Sequence, residues 1–225
     1  MSGTLTRRAV AECIGTFGLV FIAAGAAMVD EISGGGLGLI GNALASGLVV
    51  AAMVYATGHI SGAHINPAVT LGFALVRRIS IRDAGVYWAA QMVGAVLAAA
   101  LLRLLLGKVG IMGGHAITID PAQAVGVEIA LTFLLMFVIM AVATDKRAVG
   151  HAAALAIGAT VTFDILVGGP LTGGSMNPAR TTGPALLAAN WQDLWVYWIG
   201  PPVGAALAAF LYTWLNDAEG DENES

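Results

Sequence analysis

Apolar residues in this chain run in long, nearly unbroken stretches instead of one-sided stripes. Six such stretches, at about 9–29, 37–56, 84–106, 122–144, 148–167 and 194–215, approach the about 20 residues that a helix needs to cross the hydrocarbon layer. Two further stretches, 58–76 and 168–189, are apolar but broken by Gly and Pro. Each is expected to enter and leave on one face, because irregular backbone is tolerated at membrane depth only where protein or a water-filled cavity surrounds it. These two are therefore the candidate functional segments. Arg7 and Arg8 precede the first stretch, which is full-length and followed by five more, so it reads as a retained helix and not a removed signal peptide.

Composition narrows the function classes. The 225 residues are 58% apolar and 11% charged, against roughly 25% charged in an ordinary soluble domain, which leaves no room for a large catalytic domain outside the bilayer. The net charge of −4 is concentrated in a C-terminal run of Asp217, Glu219, Asp221, Glu222 and Glu224, and no basic patch suits nucleic acid. Residues 1–216 are thus expected to form one transmembrane domain and 217–225 a disordered acidic tail. A single cysteine, Cys13, excludes an intramolecular disulfide and a thiolate metal site, and no cofactor is expected. In the short loops Arg7, Arg8, Arg77, Arg78, Arg82, Lys146 and Arg147 share the side of the N-terminus, while Asp30, Glu31, Lys108 and Asp120 lie opposite, with Arg103 near a helix end. Both termini are expected in the cytoplasm.

An internal repeat divides the chain at about 9–106 and 122–215. Glu12-x-x-x-Thr16-Phe17 recurs as Glu128-x-x-x-Thr132-Phe133, 116 residues on, and Asn66-Pro67-Ala68 recurs as Asn177-Pro178-Ala179, 111 residues on. With three crossings per half, an odd number, the second half must be inverted, and inverted repeats place a shared site near the midplane. Around each Asn-Pro pair a glycine-bearing segment, predicted to be extended, runs into a helix start: Asn is a preferred N-cap and Pro is favoured at the first helical position. Two half-helices are then expected to meet N-terminus to N-terminus. Their positive ends converge, and the Asn66 and Asn177 amides offer N–H donors to the same point. The carbonyls of Gly62, Ala63 and His64, and of Gly174, Ser175 and Met176, would form a ladder of acceptors. Arg180 lies one turn beyond Asn177 on the same helical face.

Two Asn-Pro-Ala segments in their Ser/Gly context, the Arg after the second, and the duplicated Glu-x-x-x-Thr-Phe element resemble the aquaporins, the major intrinsic protein family, from about residue 11 to residue 208. The resemblance implies six transmembrane helices and two re-entrant half-helices in an inverted repeat. It also implies a homotetramer with a pore in each subunit, lipid around it, and the selectivity generally attributed to aquaporin-type pores, set by pore diameter, lining donors and half-helix ends. It assigns the narrowest point to Ser46, Ile165, Gly174 and Arg180, and suggests that Glu12 and Glu128 hold the re-entrant loops by accepting backbone N–H bonds. Water-selective members usually carry Phe, His and a small residue beside the Arg, and glycerol facilitators Trp, Gly and Phe. Neither set stands at these positions, so the opening is expected to be wider than a water-only filter and apolar on one wall. The segments 55–64 and 169–176 are similar to the nodulin-like branch, associated with glycerol, urea and boric, silicic and arsenous acids. Thr181, where glycerol facilitators carry Asp, and Tyr197-Trp198 are closer to the water-channel pattern.

The leading expectation is therefore a passive channel in the cell membrane for small uncharged solutes and water, excluding protons and ions. A water-selective pore is the alternative. An intramembrane hydrolase would need a nucleophile with its base; Ser61 and His64 are near in sequence, but a nucleophile turn and an orienting third group are absent. His59 and His64 read as loop histidines satisfied by backbone in preference to metal ligands. His151, beside Lys146 and Arg147, is a weaker candidate for a low-pH gate. Asp164, inside the fifth stretch, is compatible with pairing, with protonation or with a subunit interface.

Overall fold

The computed structural model describes residues 3–144 and 152–217, and among them every regular element is helical. The order is α1 (Leu5–Ile32), α2 (Gly38–Ser61), α3 (Pro67–Leu75), α4 (Ile81–Leu106), α5 (Pro121–Thr144), α6 (Ala153–Thr172), α7 (Pro178–Ala188) and α8 (Leu194–Asp217). Six are long and apolar enough to cross a membrane, and α3 and α7 are the two short ones. Helix is the form an open chain can take in lipid, since it satisfies its own backbone N–H and C=O groups. The ends are marked locally. Thr4 and Ser80 cap α1 and α4 by accepting from the Arg7 and Asp83 amides, and Asp120 accepts from the Ala122 amide at the start of α5. Gly62 and Gly173, both left-handed at φ +90° and +83°, close α2 and α6 by donating to the carbonyls of Gly58 and Gly169.

The two halves correspond element by element. α1 packs on α4 and α2 as α5 packs on α8 and α6, while α2 and α6 pack together between the halves. The half-helices cross over, α3 lying against α8 and α7 against α4. Close approach depends on glycine at matched places. A Cβ on Gly94 would sit 2.2 Å from the Cys13 carbonyl oxygen, and one on Gly204 would sit 2.3 Å from that of Ile129. Each glycine thus seats its helix on the stretch that carries the Glu-x-x-x-Thr-Phe element. Outward-facing Ile40, Leu48, Leu104 and Trp214 leave an apolar belt, as a lipid-facing surface requires.

Two boundaries differ from the sequence expectation. α2 passes Gly58 to end at Ser61, and α6 continues through Gly168-Gly169-Pro170 to Thr172. Gly-Gly-Pro normally stops a helix. Here the loop after α4 reaches across: the Thr118 hydroxyl donates to the Pro170 carbonyl at 2.8 Å and its amide to that of Leu171 at 2.9 Å, so the last turn is satisfied from outside. Lys146, Arg147, His151 and the tail beyond Asp217 lie outside the described residues.

Replacing Gly94 or Gly204 by Val is expected to cost about 1–3 kcal/mol, because the added carbons meet backbone that cannot retreat. The check is the thermal unfolding midpoint in detergent, where both variants should fall while Gly85→Val, which meets nothing within 4 Å, should not fall by a comparable amount.

Candidate pore

The re-entrant segments are not plain extended strands. Ala63, Ile65 and Met176 are left-handed non-glycine residues, at φ +48°, +42° and +54°, and Gly174 is at +62°. This alternation turns successive N–H groups to the same side, making the kind of concave nest that binds an anion. The anion is supplied from the first helix of each half. Fully buried Glu12 accepts the amides of His64 and Ile65 at 2.9 and 2.6 Å, the Ser61 hydroxyl at 2.6 Å and the Gln91 amide at 2.8 Å. Fully buried Glu128 accepts the amides of Ser175 and Met176 at 3.0 and 2.8 Å and the Thr172 hydroxyl at 2.7 Å. Tyrosines complete the pattern: Tyr87 donates to the Ser61 carbonyl at 2.7 Å and Tyr197 to that of Thr172 at 2.6 Å.

With the N–H groups bound on one side, the carbonyls face the other. Those of Gly62, Ala63, His64, Gly174 and Ser175 take no hydrogen bond from the described residues, and all five residues line one cavity of about 720 Å³. Leu39 and His59 of α2 both line it; they are twenty residues apart, which at 1.5 Å per residue is about 30 Å, the thickness of the hydrocarbon core. Ser46, Ile165, Gly174 and Arg180 also line it, as do Asn66 and Asn177. Gly174 abuts Ile165, since a Cβ on it would lie 3.2 Å from the Ile165 Cα.

The half-helix tips are bolted together. Asn66 accepts the Ala68 amide at 2.8 Å, and its Nδ2 donates to the Met176 carbonyl at 2.7 Å. Asn177 accepts the amides of Ala179 and Arg180, and its Nδ2 donates to the Ile65 carbonyl at 2.9 Å. Pro67 and Pro178 open α3 and α7, and Ala68 and Ala179 are fully buried behind them. Each amide has two N–H groups; one ties the halves, so one is left for the cavity. The Met176 carbonyl, expected among the free acceptors, is one of the two taken up in this cross-link, and Ile65, not anticipated, is the other.

Arg180 is 8% exposed and donates to the Gly113 carbonyl at 2.6 Å. That contact comes from the loop between α4 and α5, which also carries His115. His115 lines the cavity, has its Nδ1 2.9 Å from the Thr181 hydroxyl and rests on the Tyr197 ring at 5.4 Å. Burial, and the neighbouring Arg180, hold this imidazole well below its usual pKa, so it is neutral. The wall read from the sequence as lacking both an aromatic and a histidine is therefore flanked by a histidine that arrives from outside the four aligned positions.

The other candidates separate. His64 is buried, but its partners are the Thr70 hydroxyl at 3.1 Å and the rings of Phe73 and Tyr87, not loop backbone. His59 is exposed at the opposite mouth. Asp164 is 1% exposed within the chain, so it does not face a subunit interface, and its Oδ2 has no hydrogen-bond partner. No group of His, Cys, Asp or Glu among the described residues could hold a metal ion.

This geometry agrees with the comparisons. The chain matches the Major intrinsic protein family over residues 1–212. It belongs to that family. It is similar to Aquaporin NIP1-4 of Oryza sativa subsp. japonica, 48% identical over 219 residues, covering 95% of this chain and 78% of that protein. It is also similar to Aquaporin NIP2-3 of Zea mays, 43% identical with 96% and 71% covered. Among solved structures it superposes on the aquaglyceroporin from Plasmodium falciparum with a TM-score of 0.82, at 26% identity, covering 93% of this chain and 96% of that one. The protein is thus a multi-pass aquaporin-family channel for small solutes or water, in a family of channels and not of enzymes.

Reading the sequence missed Tyr87, Tyr197, Ser61, Thr172, Gln91 and His115. The two tyrosines are 110 residues apart and Ser61 and Thr172 are 111 apart, so the repeat spacing was a usable signal for them. Gln91 has no such partner, since Pro201 stands at the same offset, and His115 lies between the repeats.

Glu128→Ala is expected to strip the Ser175 and Met176 amides of their acceptor, at about 1–3 kcal/mol for each buried N–H. The midpoint of unfolding in detergent should drop well below that of Glu128→Gln, which retains one oxygen. Equal midpoints for the two variants would mean that the carboxylate does not hold the loop.

Proposed function

We propose that this channel passes small uncharged solutes rich in hydroxyl or amide groups, such as glycerol, urea and boric or arsenous acid, together with water, and excludes protons and ions. The observation that carries the reading is the make-up of the narrow region: Gly174, Ser46 and Ile165 leave it without a bulky side chain at those positions, and free carbonyls line the path toward it. A neutral polyol or amide can exchange its water shell for those carbonyls. A cation meets two converging helix N-termini, each worth roughly +0.5 of a charge, and the Arg180 guanidinium. A water held by the spare N–H groups of Asn66 and Asn177 accepts from both, and so does not relay a proton along the file. The relatives are named aquaporins and the structural neighbour an aquaglyceroporin, which fits this class of solute.

On the same reading the protein is a homotetramer in the plasma or inner membrane with both termini cytoplasmic, Glu12 and Glu128 acting as loop supports outside the path of the solute. A water-selective pore is the competing reading, and His115 is what favours it, because its ring narrows the region beside Arg180.

Liposomes containing the protein decide between them. Under an inward gradient of glycerol or urea, vesicles should shrink and then re-swell much faster than empty ones, with no proton leak. Ile165→Phe should cut solute entry far more than water entry. Gly174→Phe should do the same, at some cost in stability because a side chain at φ +62° is strained. Fast water flux with solute flux at the level of empty vesicles would select the water-only pore.

A further inference from the structure

The hydrogen bonds around His115 fix where its proton lies. A carbonyl can only accept, so the 3.0 Å contact between the Ser175 hydroxyl and the Asn177 carbonyl takes the one proton Ser175 has. Ser175 also accepts from the Asn177 amide at 3.3 Å. The 2.5 Å contact between Ser175 and Thr181 must then be donated by Thr181. With its own proton spent, Thr181 Oγ1 can only accept from His115 Nδ1 at 2.9 Å. The relay therefore runs from His115 to Thr181, to Ser175, to the carbonyl of the Asn177 cap, and leaves His115 Nε2 as a bare acceptor. No residue of the described chain bonds Nε2, and His115 lines the cavity. Next to it stands Arg180, a pure donor group already oriented by the Gly113 carbonyl of the same loop.

We propose that His115 is a specificity-determining residue of the pore: a neutral imidazole, protonated on Nδ1, that presents Nε2 as the hydrogen-bond acceptor facing the donors of Arg180. A passing solute then meets a donor and an acceptor side by side at its narrowest point. The class that satisfies both carries O–H or N–H together with an oxygen, as polyols, urea and hydroxylated acids do. The ring's placement is over-determined by Tyr197 beneath it and by Gly173, where a Cβ would come within 2.5 Å of the ring. This assignment rests on the solute reading above for its substrate class, but the proton position does not.

Two measurements on the full-length protein test it. Nitrogen-15 NMR of histidine-labelled protein, with the His115 signal identified by its loss in His115→Gln, should show a protonated Nδ1 and an unprotonated Nε2 from about pH 7 to about pH 5, across the range where an ordinary histidine titrates. The opposite tautomer, or a doubly protonated ring near neutrality, overturns the proposal. In liposomes, His115→Leu should lower urea and glycerol flux about tenfold, the equivalent of one net hydrogen bond of about 1.4 kcal/mol, with water flux held within about twofold. His115→Gln, which retains an acceptor oxygen, should recover most of the loss, and the preserved water flux shows that the variants are folded. An unchanged ratio of solute to water flux in His115→Leu overturns the role. A wild type that passes water but neither solute overturns the small-solute function instead, and the tautomer then decides the His115 assignment by itself.

Discussion

Everything in this channel depends on how non-helical backbone is kept satisfied in the middle of a bilayer. Water is not freely available there, and each unpaired N–H costs on the order of several kcal/mol in hydrocarbon. The chain meets this constraint with two carboxylates. Glu12 and Glu128 each gather two consecutive amides, which is feasible only because Ala63, Ile65, Gly174 and Met176 adopt left-handed backbone. The strain at the non-glycine members is of order 1–3 kcal/mol apiece, and charge-assisted bonds of about 1.5–3 kcal/mol each offset it.

A consequence of turning the amides one way is that the carbonyls turn the other. One set of bonds therefore builds both the support and the lining: N–H groups go to the protein, C=O groups go to the path. The same economy joins the halves. Asn66 and Asn177 cap their own half-helix with the side-chain oxygen and reach the opposite loop with the nitrogen, so the tips cannot separate without uncapping both helices. The crossover of α3 onto α8 and α7 onto α4 sets those tips against each other and fixes the depth at which they meet.

The halves are not identical, and the differences fall where selectivity is decided. Position 64 in the first half is His, held by Thr70 and enclosed by Phe73 and Tyr87. Its counterpart is Ser175, held by Thr181, and the smaller side chain leaves room for His115 to enter from the loop after α4. Gln91 reinforces Glu12, while the second half has Pro201 there and Glu128 manages with three donors. A near-symmetric frame thus carries an asymmetric polar site on one side of the midplane.

By itself the sequence determined the six crossings, the two interrupted segments, the duplicated Asn-Pro-Ala and Glu-x-x-x-Thr-Phe elements, and hence the family. These are legible because they rest on local rules: the length of an apolar run, the capping preference of Asn before Pro, and the spacing of a repeat. Tertiary structure alone decided that α6 runs through Gly168-Gly169-Pro170, because the partner that satisfies its last carbonyls, Thr118, comes from a separate loop. It alone decided that Met176 and Ile65 supply the carbonyls tying the halves together, and that Gly113 and His115 stand beside Arg180. The physical reason is the same in each case. These contacts join residues dozens of positions apart through backbone atoms or a loop outside the repeat, and neither carries a pattern that side-chain identity along the chain can announce.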